Sequence, residues 1–163
     1  MSRFETDEPA SPVGIPARVL NELCEHARED NEECCGLVLS ERSIRYGRAV
    51  RCRNEMSRLN REDPDEFPRD GHYAYYMSDV DVLAVMREAE RTGEHVTAVY
   101  HSHVRAAAYL SEVDLAYAQH PLFPFPYADQ IVLSVHEGSV REIKLFVRDG
   151  GEFSERLVRA EAT

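Results

Sequence analysis

Residues 98–118 read AVYHSHVRAAAYLSEVDLAYA. Two histidines flank one serine directly after an apolar run, and a serine and an aspartate follow. The stretch HVTAVYHSH predicts a strand that runs into this motif. On a strand, residues i and i+2 share a face at about 6–7 Å, so His101 and His103 can aim two imidazoles at one point. Downstream, SEVDLAYAQ predicts a short helix with Ser111 as its N-cap, which puts Asp114 in the first turn. The chain can thus return a carboxylate to the two imidazoles. A His, His, Asp set suits tetrahedral zinc and leaves a fourth position for water.

The bulk of the chain narrows the setting. Its 163 residues fit one domain with one core. A net charge of −11 argues against nucleic acid as a partner, which would call for a basic face, and against docking on an anionic membrane. No apolar run approaches the roughly 20 residues that cross a bilayer. The stretch MSRFETDEPASPVG lacks the apolar core of a secretory signal, and residues 1–15 are expected to form a mobile arm. Cys24, Cys34, Cys35 and Cys52 lack zinc-finger spacing and read as reduced, buried thiols, which suits a cytoplasmic protein.

The remaining segments alternate between helix and strand. IPARVLNELCEHARED has helical apolar spacing through Val19, Leu20, Leu23, Cys24 and Ala27. CCGLVLS reads as a buried strand, and SIRYGRAVRCRN as a second, partly exposed one. Residues 53–71 are polar and contain proline, and are expected to be a long loop. HYAYYM reads as a strand. SDVDVLAVMREAERTG reads as a helix with Ser78 as N-cap, Gly93 as its end and a buried stripe of Val82, Val85, Met86 and Ala89. Three prolines break PLFPFPYAD. QIVLSV and SVREIKLFVRD read as a hairpin joined by HEG, and residues 149–163 as a C-terminal tail. His26, His72, His95, His120 and His136 read as surface or loop residues.

His101, Ser102, His103, Ser111 and Asp114 fit H-x-H-x7-S-x2-D without a gap, and Glu33-Cys34-Cys35-Gly36 upstream fits E-x-C-G. On these residues the chain resembles the JAMM (MPN+) zinc metallopeptidase family over about residues 16–148. Many relatives carry proline where this chain has Leu110. The resemblance implies an α/β, single-domain JAMM/MPN fold, a mixed β-sheet flanked by helices with cytidine-deaminase-like architecture. It implies one zinc ion per chain on His101, His103 and Asp114. It makes Glu33 the general base and Ser111 an oxyanion donor. Asn54 sits where relatives often keep asparagine, and a loop-structuring role suits it equally. The branch most similar is the stand-alone bacterial one that acts on ubiquitin-like sulfur-carrier proteins. The implied activity is hydrolysis of the amide bond after a Gly-Gly tail, with loops 53–71 and 120–128 flanking the groove. The expected partners are that tail and, in a homodimer, a second copy of the chain. Two other readings differ in kind. A metal-free scaffold would have lost ligands, and a zinc deaminase would show H-x-E and P-C-x-x-C, which are absent.

Overall fold

The computed structural model describes residues 11–162. In chain order the elements are β1 (Val13–Pro16), α1 (Ala17–Glu29), β2 (Cys35–Ser40), β3 (Arg48–Cys52), α2 (Met56–Glu62) and α3 (Asp79–Thr92). Then come β4 (His95–Val104), α4 (Glu112–Ala118), β5 (Asp129–His136), β6 (Ser139–Asp149), β7 (Glu152–Arg156) and β8 (Val158–Glu161). Six strands form the main sheet in the order β3-β2-β4-β5-β6-β7, and β1 pairs with β8 apart from it. β4 and β5 are parallel, and the other neighbours in the main sheet are antiparallel. A parallel pair needs a crossover. Residues 105–128, which include α4, supply it.

The sheet lies between helices. On one face Val19, Leu23 and Ala27 of α1 pack with Val38, Ala98, Tyr100, Ile131 and Leu133. On the other, Val85 of α3 packs with Leu37, Leu39, Val99, Tyr75 and Phe123. β2 is buried along its whole length, which is why CGLVLS is a continuous apolar run rather than an alternating one. Along β4 the period of two sends Ala98 and Tyr100 toward α1 and Val99 toward α3. His101 and His103 share the parity of Val99. β5 and β6 meet in a hairpin whose turn residues Glu137 and Gly138 both have positive φ, 51° and 74°, as a two-residue turn requires.

Several expectations are corrected. Residues 13–15 are not an arm: Val13 and Ile15 are buried, and β1 runs parallel to β8. Residues 1–10 lie outside the described ones. The segment after Asp149, read as a C-terminal tail, forms two strands: β7 extends the main sheet and β8 pairs with β1. The region 53–71 contains α2. HYAYYM is not a strand; only Met77 makes a bridge, to Asn54, and the side chain of Asn54 takes the backbone groups that a ladder would use. Met86 is 45% exposed, because α3 presents a narrower stripe to the sheet than its apolar residues cover. His26 is buried, with Nδ1 2.7 Å from the Tyr100 hydroxyl. No described helix is long and apolar enough to cross a membrane.

Candidate metal centre

The end of β4 and the first turn of α4 bring three donor atoms together. His101 Nε2 and His103 Nε2 are 3.2 Å apart, and Asp114 Oδ2 is 3.1 Å from each. Bonds of 2.0–2.1 Å in a tetrahedron place neighbouring donors about 3.3 Å apart, so this triangle has the dimensions of one face of a zinc site. The proton positions agree. His103 Nδ1 lies 2.8 Å from the Ala107 carbonyl, which can only accept, so Nδ1 carries the proton and a neutral ring turns the Nε2 lone pair inward. Glu33 completes the group, with a carboxylate oxygen within 4.8 Å of the other donor atoms. All four residues are buried. Glu33 Oε1 has no hydrogen-bond partner among the described residues. An acceptor left bare in the interior is costly unless a cation or a polar ligand meets it. The donor set fits a divalent metal ion.

The local structure aims each donor. Ser111 Oγ accepts the Asp114 N–H at 3.1 Å, and Asp114 Oδ2 accepts the Ser111 N–H at 3.1 Å. The capping box that starts α4 therefore orients the same oxygen that faces the imidazoles. Ser102, between the histidines, points the other way. Its Oγ accepts the Cys34 N–H at 2.8 Å, and its own N–H donates to the Cys34 carbonyl at 3.0 Å. The serine of HSH thus moors the segment that carries Glu33. The Glu33 N–H donates to the Gly71 carbonyl at 2.7 Å, and Asn54 Nδ2 donates to the Glu33 carbonyl at 3.0 Å. Neighbouring Glu32 turns elsewhere, accepting from the Ser57 hydroxyl at 2.8 Å.

Electrostatics separates the two carboxylates. Burial pushes the Glu33 carboxyl up to about 9; the charge of Asp114 adds to this and Arg69 opposes it. Burial also disfavours an ionised Asp114, but the two imidazoles outweigh it and hold that carboxyl well below the usual range. For His103, burial favours the neutral ring, and the bonds to Asp114 and Ala107 more than offset it, so its pKa is raised. The surroundings thus shift the two carboxyls in opposite directions.

A cleft of 290 Å³ opens at this group, bordered by Glu33, His103 and Ser111 and by Arg69, Tyr73 and Tyr109. One wall comes from the region expected to flank a groove. The other is 104–111 rather than 120–128, whose Phe123 and Phe125 are buried in the core. The structure brings Glu33, His101, His103, Ser111 and Asp114 together. The sequence assigned no role to Ser102, Arg69, Tyr73 or Tyr109; His72 also borders the cleft and is exposed, as expected of a surface histidine. Only the position of Ser102 inside the motif could have singled it out.

The fold and the site define an α/β domain with a mixed sheet and a buried Glu, His, His, Asp group, able to bind a metal, at the end of a central strand. The chain belongs to the family described as prokaryotic homologs of the JAB domain, whose model matches residues 16–146. Solved structures share the fold at low identity. Protein DSY2949 from Desulfitobacterium hafniense is 18% identical, with a TM-score of 0.67 over 92% of this chain and 93% of that one. A Salinibacter ruber protein is 21% identical, with a TM-score of 0.60 over 91% and 90%. AF2198, a JAB1/MPN domain protein from Archaeoglobus fulgidus, is 15% identical, with a TM-score of 0.50 over 91% and 100%. No curated protein matches the chain.

Proposed function

We propose that the chain is a zinc-dependent metallopeptidase that hydrolyses the amide bond after a ubiquitin-like Gly-Gly tail. The observation that carries this reading is a triangle of metal-ligand atoms beside a buried carboxylate with a bare oxygen, at the floor of an open cleft. His101, His103 and Asp114 would hold the ion. Zinc, when bound, supplies an acidified water and polarises a carbonyl. Glu33 takes a proton from the attacking water and passes it to the leaving amine as the C–N bond breaks, so the products are a carboxylate and a free amine. The Ser111 hydroxyl accepts the Asp114 N–H, which leaves its own hydrogen to donate to the oxyanion. β4 runs past the start of β2, since Cys35 pairs with His101 while β4 continues to Val104. That overhang borders the cleft and offers main-chain groups to an extended tail.

Protein made in zinc-rich medium and freed of chelating tags is expected to hold close to one zinc per chain, and His103→Ala to lose most of it. With a ubiquitin-like protein extended beyond Gly-Gly as substrate, Glu33→Gln should lower turnover by about 10²–10⁴-fold while zinc content stays unchanged. Glu32→Gln should remain active. A wild type that binds the tail but holds no zinc and cuts nothing would make the chain a scaffold. A normally active Glu33→Gln would place the proton acceptor elsewhere.

A further inference from the structure

The two histidines of the candidate centre are held by different means. His103 is oriented by its Nδ1 on the Ala107 carbonyl. His101 Nδ1 is buried and has no hydrogen-bond partner among the described residues. His101 instead lies against the ring of Tyr75, with centroids 4.4 Å apart and 22° between the planes. Both side chains are buried, His101 at 0% and Tyr75 at 3% exposure. The Tyr75 hydroxyl also lacks a partner, so it is the ring that serves this contact. Tyr117 meets Tyr75 edge-on at 5.2 Å and 82°, and its hydroxyl accepts the Met77 N–H at 3.3 Å. Phe123 and Phe125 continue the column into the core.

The backbone around Tyr75 is held by one amide side chain. Asn54 Nδ2 donates to the Ala74 carbonyl at 3.1 Å, and Asn54 Oδ1 accepts the Tyr76 N–H at 3.1 Å, so the residues on both sides of Tyr75 are tied. The same Nδ2 donates to the Glu33 carbonyl. A single residue thus links the main chain of the carboxylate to the residue stacked on a metal ligand.

We propose that Tyr75 is a positioning residue for His101, its stacked ring replacing the hydrogen bond that usually orients a metal-bound imidazole, and that Asn54 sets Tyr75 and Glu33 in a common register. The proposal rests on the metal reading of the site. Its consequence is that ring shape, not the hydroxyl, matters at position 75.

Cobalt(II) titration tests this without turnover, by calorimetric affinity and by the visible spectrum of the loaded protein. Tyr75→Phe should bind within about twofold of wild type with the same spectrum, whereas Tyr75→Met, of similar bulk but with no stacking face, should bind about 10–100-fold more weakly with an altered spectrum. Asn54→Asp keeps the acceptor bonds and loses the donors, and should also weaken binding and alter the spectrum. A purely structural role would lower the melting temperature of these variants and leave the loaded spectrum unchanged. A Tyr75→Met protein with wild-type affinity and spectrum would overturn the proposal, as would a Tyr75→Phe protein as impaired as Tyr75→Met. If Tyr75→Met does not fold, Asn54→Asp decides: an unchanged spectrum and affinity would overturn the proposal. Wild-type protein that takes up no cobalt would remove the metal reading, and this inference with it.

Discussion

Ser111 caps α4 and, in the proposed reaction, would also donate to the oxyanion, and these two roles can be pulled apart. As N-cap of α4 it accepts a backbone N–H, and as a hydroxyl at the cleft it retains a hydrogen to donate. Glycine is tolerated at an N-cap at a cost of only a few tenths of a kcal/mol, so Ser111→Gly should melt near wild type, about where the cap penalty puts it. Loss of an oxyanion donor should nevertheless lower turnover by about 10²–10³-fold. Melting curves and turnover on the same preparation check this. Wild-type turnover by Ser111→Gly would assign the donor to another group.

At the scale of elements, the site depends on how closely β2 and β4 approach. Gly36 lies opposite Tyr100 in the ladder, and a Cβ at Gly36 would come within 2.5 Å of the Tyr100 ring. The ring has little room to yield, because its hydroxyl is bonded to His26 on α1. The glycine of E-x-C-G is therefore needed for packing just behind Glu33. Gly36→Ala should destabilise by about 1–3 kcal/mol, the usual cost of overpacking. Tyr100→Leu in the same chain should recover part of that loss, which a double-mutant cycle in denaturant reads directly. Independent, additive costs would mean that the strands adjust around the methyl group instead.

For the whole molecule, pH dependence includes contributions from carboxylates held by arginines. Arg48 of the edge strand β3 meets Glu94, just beyond α3, at 2.7 Å and so ties the sheet edge to the helix layer. The hydrogen bond from Arg48 holds the Glu94 carboxyl down to about 2, although burial works against it. A depressed carboxylate stabilises the fold above its ordinary value. The unfolded chain takes up the proton first as pH falls, so this contribution is complete above about 4.5 and disappears by about pH 2. Glu94→Gln should lower the melting temperature at pH 7, and the gap to wild type should close as pH falls through that window. A gap independent of pH would mean that the substitution acts through packing. The pair is near the surface, so added salt should narrow the gap as well.

The sequence by itself determined the local parts of this protein. Two imidazoles two residues apart on a strand must share a face, and a serine three residues before an aspartate at a helix start closes a capping box; neither depends on distant residues. The same local rules made the hairpin at 137–138 and the helix from Ser78 to Gly93 legible. Tertiary structure decided what depends on partners far along the chain. The stretch 72–77 has strand-like composition, but Asn54 takes its backbone groups, so it becomes the support on which Tyr75 meets His101. Residues 13–15 look like an arm until β8, more than a hundred residues later, pairs with them. His26 looks like a surface histidine until the Tyr100 hydroxyl reaches it across the layer between α1 and the sheet. Periodicity records which face a residue occupies, not which distant group will meet it there.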